Sequence, residues 1–218
     1  MVTDPTDPTD PTDPTDPTEE TSMTAAAKKA LLMLDYQVAL CEEGPHLRMP
    51  PLAAQIAERG VLATAERVLT AARAAGTLVV HVRLAFDPSY KLRTNRLPRF
   101  DPYEGQRAML ADSPEAQIVK ALAPQPGEPV IDKGCVDPFV GTPLREMLAA
   151  EGVTEVVLGG VATNLVVESA ARHASDSGLQ VTVVEDMCAS FRPDFHEFSV
   201  TNMLPLFGSV AGSAELEF

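Results

Sequence analysis

The chain has 218 residues and a formal net charge of −14, long enough for one domain with a sizeable core and too acidic for a nucleic-acid partner, which needs a basic face. No apolar run approaches the roughly 18 residues of a membrane span, and the N-terminus lacks the basic and apolar regions of a signal peptide. The three widely spaced cysteines (Cys41, Cys135, Cys188) suggest reduced thiols and a cytoplasmic protein without structural zinc.

Residues 3–17 repeat Thr-Asp-Pro five times. Regular proline favours extended chain, and repelling aspartates oppose collapse. A disordered acidic tail over 1–24 and one folded domain over 25–218 are expected. Ala30-Leu31-Leu32-Met33-Leu34 is a short apolar run that fits a buried strand, with Asp35 at its carboxyl end as a cap, a turn residue or a working acid. Residues 38–59 read as irregular, broken by Gly44-Pro45 and Pro50-Pro51. Leu62, Ala65, Val68, Leu69 and Ala72 then share one helical face, and Gly76 ends that helix.

Residues 77–84 are β-rich. His81 within them reads as a packed, hydrogen-bonded side chain, and Arg83 near the strand end as a candidate anchor for a substrate carboxylate. The connection over 85–114 is long, basic and aromatic, the composition of a lid or binding loop, and Arg93 within it is a second anchor candidate. A short amphipathic helix at most is expected over 116–122. A strand over 129–132 delivers Lys133, either snorkelling to water or tuning a nearby acid. Thr142-Pro143 opens a helix through Leu144, Met147 and Leu148, which Gly152 ends.

Val157 to Ser169 is the most informative stretch. Apolar residues run into Gly159-Gly160, and a helical pattern follows at once, with Thr163 or Asn164 as its expected cap. Val166 falls on the first helical turn, where unpaired amides and the helix dipole favour negative charge and would activate a cysteine. The helix continues to Ser177 and is closed by Gly178, with Glu168 and Arg172 spaced as an i, i+4 pair. A strand over 180–185, a loop at 186–188, a helix after Pro193 and a short strand near 209–211 complete the chain. Alternating strands and helices imply a mostly parallel sheet covered on both faces. Asp35, Lys133 and the 160–166 turn all fall at carboxyl ends of strands, the edge where such sheets bind ligands.

Four motifs carry a resemblance: Leu34-Asp35-Tyr36-Gln37; Val130-Ile131-Asp132-Lys133 with Phe139, Thr142 and Leu144; Gly160 to Ser169; and Val184-Glu185-Asp186-Met187-Cys188-Ala189. Over about residues 28–212 the sequence resembles the isochorismatase-like (cysteine hydrolase) superfamily. The resemblance implies a Rossmann-like, three-layer α/β/α fold with about six strands. It makes Asp35 the acid/base and Lys133 its charged partner. It implies a pocket shaped by the backbone of Gly160, Val161, Ala162 and Thr163, with a cis peptide joining Val161 to Ala162. Gln37, Arg83, Arg93 and Phe139 are the expected substrate contacts. The family's cysteine slot aligns with Val166, and an isopropyl group is no nucleophile.

Members without the cysteine include the true isochorismatases, in which the aspartate protonates carbon of a vinyl ether and water attacks the resulting cation. The leading expectation is therefore a hydrolase or lyase for a small anionic metabolite, acting through Asp35 without a thiol intermediate. The alternatives are an inactive binding module, or an amidohydrolase with a nucleophile relocated to Cys135 or Ser169. No cofactor is expected, and no metal, since 86–103 contains no histidine. The resemblance implies a dimer or tetramer.

Overall fold

The computed structural model describes residues 28–218. The expected acidic tail lies outside the described residues. The chain opens with β1 (Lys29–Leu34), α1 (Val38–Cys41), α2 (Pro50–Glu58), α3 (Val61–Ala74) and β2 (Leu78–Leu84). It continues through α4 (Asp101–Gln106), β3 (Val130–Lys133), α5 (Leu144–Ala150) and β4 (Glu155–Val161). It closes with α6 (Glu168–Asp176), β5 (Gln180–Ala189), α7 (Pro193–Phe198) and β6 (Ser209–Ala211).

All six strands are parallel, in the order β3-β2-β1-β4-β5-β6. The chain builds outward from β1 on one side, then returns to the other side with β4. The carboxyl ends of β1 and β4 therefore flank the point where the winding reverses, the place where an open α/β sheet leaves a crevice. The strands are apolar on both faces because both faces are covered. Ala30, Leu32 and Leu34 of β1 pack with α5 and α6, while Leu31 and Met33 pack with α2 and α3. Burying each such leucine contributes about 1.5–3 kcal/mol. Gly160 is required where β4 meets β1: a Cβ there would lie 2.5 Å from Leu34 Cβ and 2.6 Å from its carbonyl oxygen.

Four local expectations are corrected. Residues 50–58 are helical, because a helix tolerates proline in its first turn, where no amide hydrogen is needed, and Leu52, Ala53 and Ile56 then face the core. Residues 116–122 form no helix but two isolated 3₁₀ turns at Pro114–Ala116 and Lys120–Leu122. Their backbone pairs instead with the segment after β1, Val38 N donating to Gln117 O and Val119 N to Tyr36 O. Residues 186–188 belong to β5, which continues past a register irregularity to pair Cys188 with Gly160 and Ala189 with Val161. Finally, neither Thr163 nor Asn164 caps the helix that follows β4. Thr163–Val167 wind as one π-helical turn with Ala162 as the cap residue, and no side chain bonds across that end.

Candidate active site

Asp35 follows β1 directly. Its amide still bonds Val82 O, but its own backbone is left-handed at φ 58°, which re-aims the side chain off the strand end. Aspartate tolerates that conformation better than most residues. Lys133 ends β3, two strands away, and its long side chain crosses the sheet edge to place Nζ 2.8 Å from Asp35 Oδ2. Both are buried, the side chains 8% and 2% exposed. Lys133 Nζ also donates to Cys135 O at 3.0 Å and Val136 O at 3.1 Å. Those two bonds and Asp35 match the three hydrogens of an ammonium. Asp35 Oδ1, by contrast, is buried without a hydrogen-bond partner. Burial pushes the Asp35 carboxyl above its ordinary range, and the neighbouring Lys133 charge only partly offsets that push.

The pair lies at the wall of a cavity of about 120 Å³ over the sheet's carboxyl edge. Val161, Ala162, Leu165 and Val166 form one wall. The Val161–Ala162 peptide is cis. Val166 occupies the first turn after β4, as its sequence position implies, and its side chain is buried against the cavity. Apolar side chains make up most of the remaining lining: Leu40, Met49, Leu52, Leu84 and Phe191, with Phe100 and Tyr103 from the long 85–114 connection. Met49, Leu52 and Phe191 were not among the residues expected here. Phe191 follows the carboxyl end of β5, a placement the sequence pattern signals only once that strand is carried to Ala189.

The other expected contacts do not line this cavity. Gln37 is fully buried, its amide nitrogen donating to Leu84 O and Ala116 O while its oxygen accepts from Leu84 N. It clamps backbone rather than ligand. Arg83 Nε donates to Asp132 Oδ1 at 2.6 Å, and Arg93 pairs with Asp101. Phe139 stacks on His173, with ring centroids 4.5 Å apart, inside the core beneath α5 and α6. Gly160 lies within β4, behind the wall. Thr163 is also behind it, its hydroxyl 2.8 Å from His196 Nδ1. Ser169 is absent from the lining.

The cysteines are poorly placed as nucleophiles. Burial raises the Cys41 thiol, and raises Cys188 to about 12. Cys135 borders the cavity, but its sulfur is directed at the carbonyls of Asp137 (3.4 Å) and Val140 (3.9 Å). Among the described residues no cluster of three or more His, Cys, Asp or Glu side chains is arranged to hold a metal ion. Nor is any helix among them long and apolar enough to cross a membrane.

Residues 29–215 match the isochorismatase domain. The chain belongs to the isochorismatase family. It is 31% identical over 183 residues to a maleamate amidohydrolase of Pseudomonas putida, an alignment covering 84% of this chain and 82% of that relative. Its fold is similar to that of a cysteine hydrolase from Pseudomonas syringae pv. phaseolicola, with 25% identity and a TM-score of 0.75 over 86% of this chain and 90% of the other. It is also similar to an isochorismatase family protein from Burkholderia thailandensis, with 27% identity and a TM-score of 0.71 over 87% and 93% of the two chains. As a member of this family of hydrolases, the chain sets its buried Asp35–Lys133 pair against a cavity wall that carries Val166.

Proposed function

We propose that this isochorismatase-family protein hydrolyses a small molecule by proton transfer at Asp35, with no covalent thiol intermediate. The observation that carries the reading is the Asp35–Lys133 pair at 2.8 Å, set at the wall of a cavity whose helix-start position is Val166. A general acid must hold its proton near working pH, and burial raises Asp35 toward that condition. Lys133, anchored by two carbonyls, holds Oδ2 and fixes the carboxyl at the cavity wall. The Asp35 carboxyl protonates the substrate, water attacks the resulting cation, and the proton released by that water returns to Asp35. The sum is hydrolysis, with the acid regenerated. An anionic substrate loses its expected anchors, since Arg83 and Arg93 both pair with carboxylates away from the cavity.

The test is a turnover screen of small vinyl ethers and amides, followed by variants. Asp35→Asn should lower kcat/KM at least 100-fold, about 2.7 kcal/mol of transition-state stabilisation. Cys135→Ala should stay within threefold of the parent. Loss of turnover on removing the Cys135 thiol would move the chemistry to a relocated nucleophile. Full activity in Asp35→Asn would sink the acid mechanism.

A further inference from the structure

The Asp35–Lys133 pair is almost closed off. The two residues are 6% and 2% exposed, and Asp35 Oδ1 is buried. A small molecule that is to meet this carboxyl needs part of the cavity wall to give way. Most of the lining is fixed by the sheet or by helices packed on it. Val161, Ala162 and Val166 belong to β4 and the turn after it, and Leu52 to α2, all within the main cores. Phe100 and Tyr103 differ, because they stand on the long connection between β2 and β3. The base of that connection is pinned. Phe86 N donates to Met109 O, Ala111 N to Phe86 O, and Tyr90 Oη to Ala108 O. Leu92 is seated on Gly134, where a Cβ would lie 1.7 Å from Leu92 O. Residues 93–107 span the gap between these anchors, and Arg93 pairs with Asp101 inside the segment. The segment ends at Arg107, left-handed at φ 52°, where a change of direction between α4 and the base can be absorbed.

Arg48 ties this segment to the frame. Its Nε and Nη2 donate to Glu115 Oε2 and Oε1 at 3.0 and 3.1 Å, and Glu115 Oε2 also accepts from Met109 N. That end belongs to the pinned base. From the same guanidinium, Nη1 donates to Gln106 Oε1 at 3.2 Å, and the group lies 5.7 Å from the centre of the Tyr103 ring. Both of those partners are on α4. A guanidinium holds a carboxylate with one edge while another donor and its face engage other groups, which an ammonium cannot do. Arg48 itself does not line the cavity.

We propose that residues 93–107 are the movable wall of the cavity and that Arg48 is the positioning residue that holds this wall shut through Gln106 and Tyr103. The proposal rests on this cavity being the working site and adds how a substrate enters it, but its test needs no substrate. The probe is iodoacetamide, a small neutral reagent, acting on the thiol introduced by Val166→Cys at the cavity wall. In that background Arg48→Gln should raise the labelling rate of this thiol about fivefold or more, through loss of the fork and the ring contact. Gln106→Ala leaves the Arg48–Glu115 pair intact and should raise it about threefold. Hydrogen exchange separates a released segment from a weakened fold. In Arg48→Gln the Ala108 amide, bonded to Tyr103 O, and the Phe100 amide, bonded to Leu97 O, should exchange faster, with the Asp35 amide, bonded to Val82 O, unchanged. Labelling of both variants at the rate of Val166→Cys alone overturns the proposal, as does exchange that quickens equally at the Asp35 amide. Should Arg48→Gln fail to fold, Gln106→Ala decides, and unchanged labelling there overturns the proposal. Faster labelling with no turnover of any small vinyl ether or amide leaves the movable wall standing and removes the hydrolase reading.

Discussion

The costs of breaking the Asp35–Lys133 pair from each side, added together, should far exceed the cost of removing both partners at once. The two groups sit 2.8 Å apart with side chains 8% and 2% exposed, so either one left alone is a buried, uncompensated ionisable group. Such a break costs about 3–5 kcal/mol. Asparagine is the right replacement for Asp35, because it accepts the left-handed backbone at φ 58°. Asp35→Asn leaves the Lys133 ammonium with two carbonyls and no counter-charge. Lys133→Met leaves Asp35 without its cation and the carbonyls of Cys135 and Val136 without this donor. With each single change at about 3 kcal/mol, additivity requires roughly 6 kcal/mol for the double variant. The pair's mutual dependence predicts about 3 kcal/mol instead, mostly the lost carbonyl bonds. Urea unfolding at pH 7, read from midpoints at constant m, measures all three. A double variant within about 0.5 kcal/mol of the additive sum refutes the coupling.

The pH dependences follow from the same groups. Asp35 has a folded pKa raised above 3.8, so the native state holds its proton where the unfolded chain has lost it, and this group's contribution falls as pH rises through that window. As the reacting acid, it should give a kcat/KM that declines tenfold per pH unit above its raised pKa, and Lys133→Met should move that decline to higher pH; a rate rising through the same range would make Asp35 a base. Glu128 behaves oppositely. Burial pushes it up, but bonds from Arg73, the Gln125 amide and His81 outweigh that and leave it at about 2, below the ordinary 4.5. Its contribution is present above pH 4.5 and lost as pH falls toward 2, so Glu128→Gln should cost about 2 kcal/mol at pH 7 and little near pH 2, measured by denaturant melts. Val166→Cys places a thiol on the helix-start turn at the cavity wall, and iodoacetamide should label it faster than Cys41, Cys135 or Cys188, scored by peptide mass; labelling no faster than the native thiols contradicts the assignment of that position.

Much of the architecture was legible from local pattern. The run Ala30–Leu34, the helical face of Leu62 to Ala72 and the Gly159-Gly160 turn each announce their element by periodicity or by glycine. The strand–helix alternation then requires parallel pairing, and Asp35, Lys133 and Val166 must come to one edge because all three follow strands. The charge matching of the site was not legible. Arg83 has its partner 49 residues on at Asp132, and no local rule distinguishes that from a free anchor. Gln37 follows Asp35 by two residues, yet its amide is fully engaged by Leu84 and Ala116, 47 and 79 residues away. The helix at Pro50–Glu58 was hidden by prolines whose effect depends on their place in the turn, and the last turn of β5 by residues that extend only because β4 offers them partners.

The sequence by itself determined the fold class and the placement of Asp35, Lys133 and Val166 at strand ends, because these depend on short-range order. Tertiary structure alone decided that the arginines are paired, that Lys133 has no hydrogen to offer a ligand, and that Asp35 Oδ1 has no donor. Those facts depend on which distant groups meet at hydrogen-bond distance.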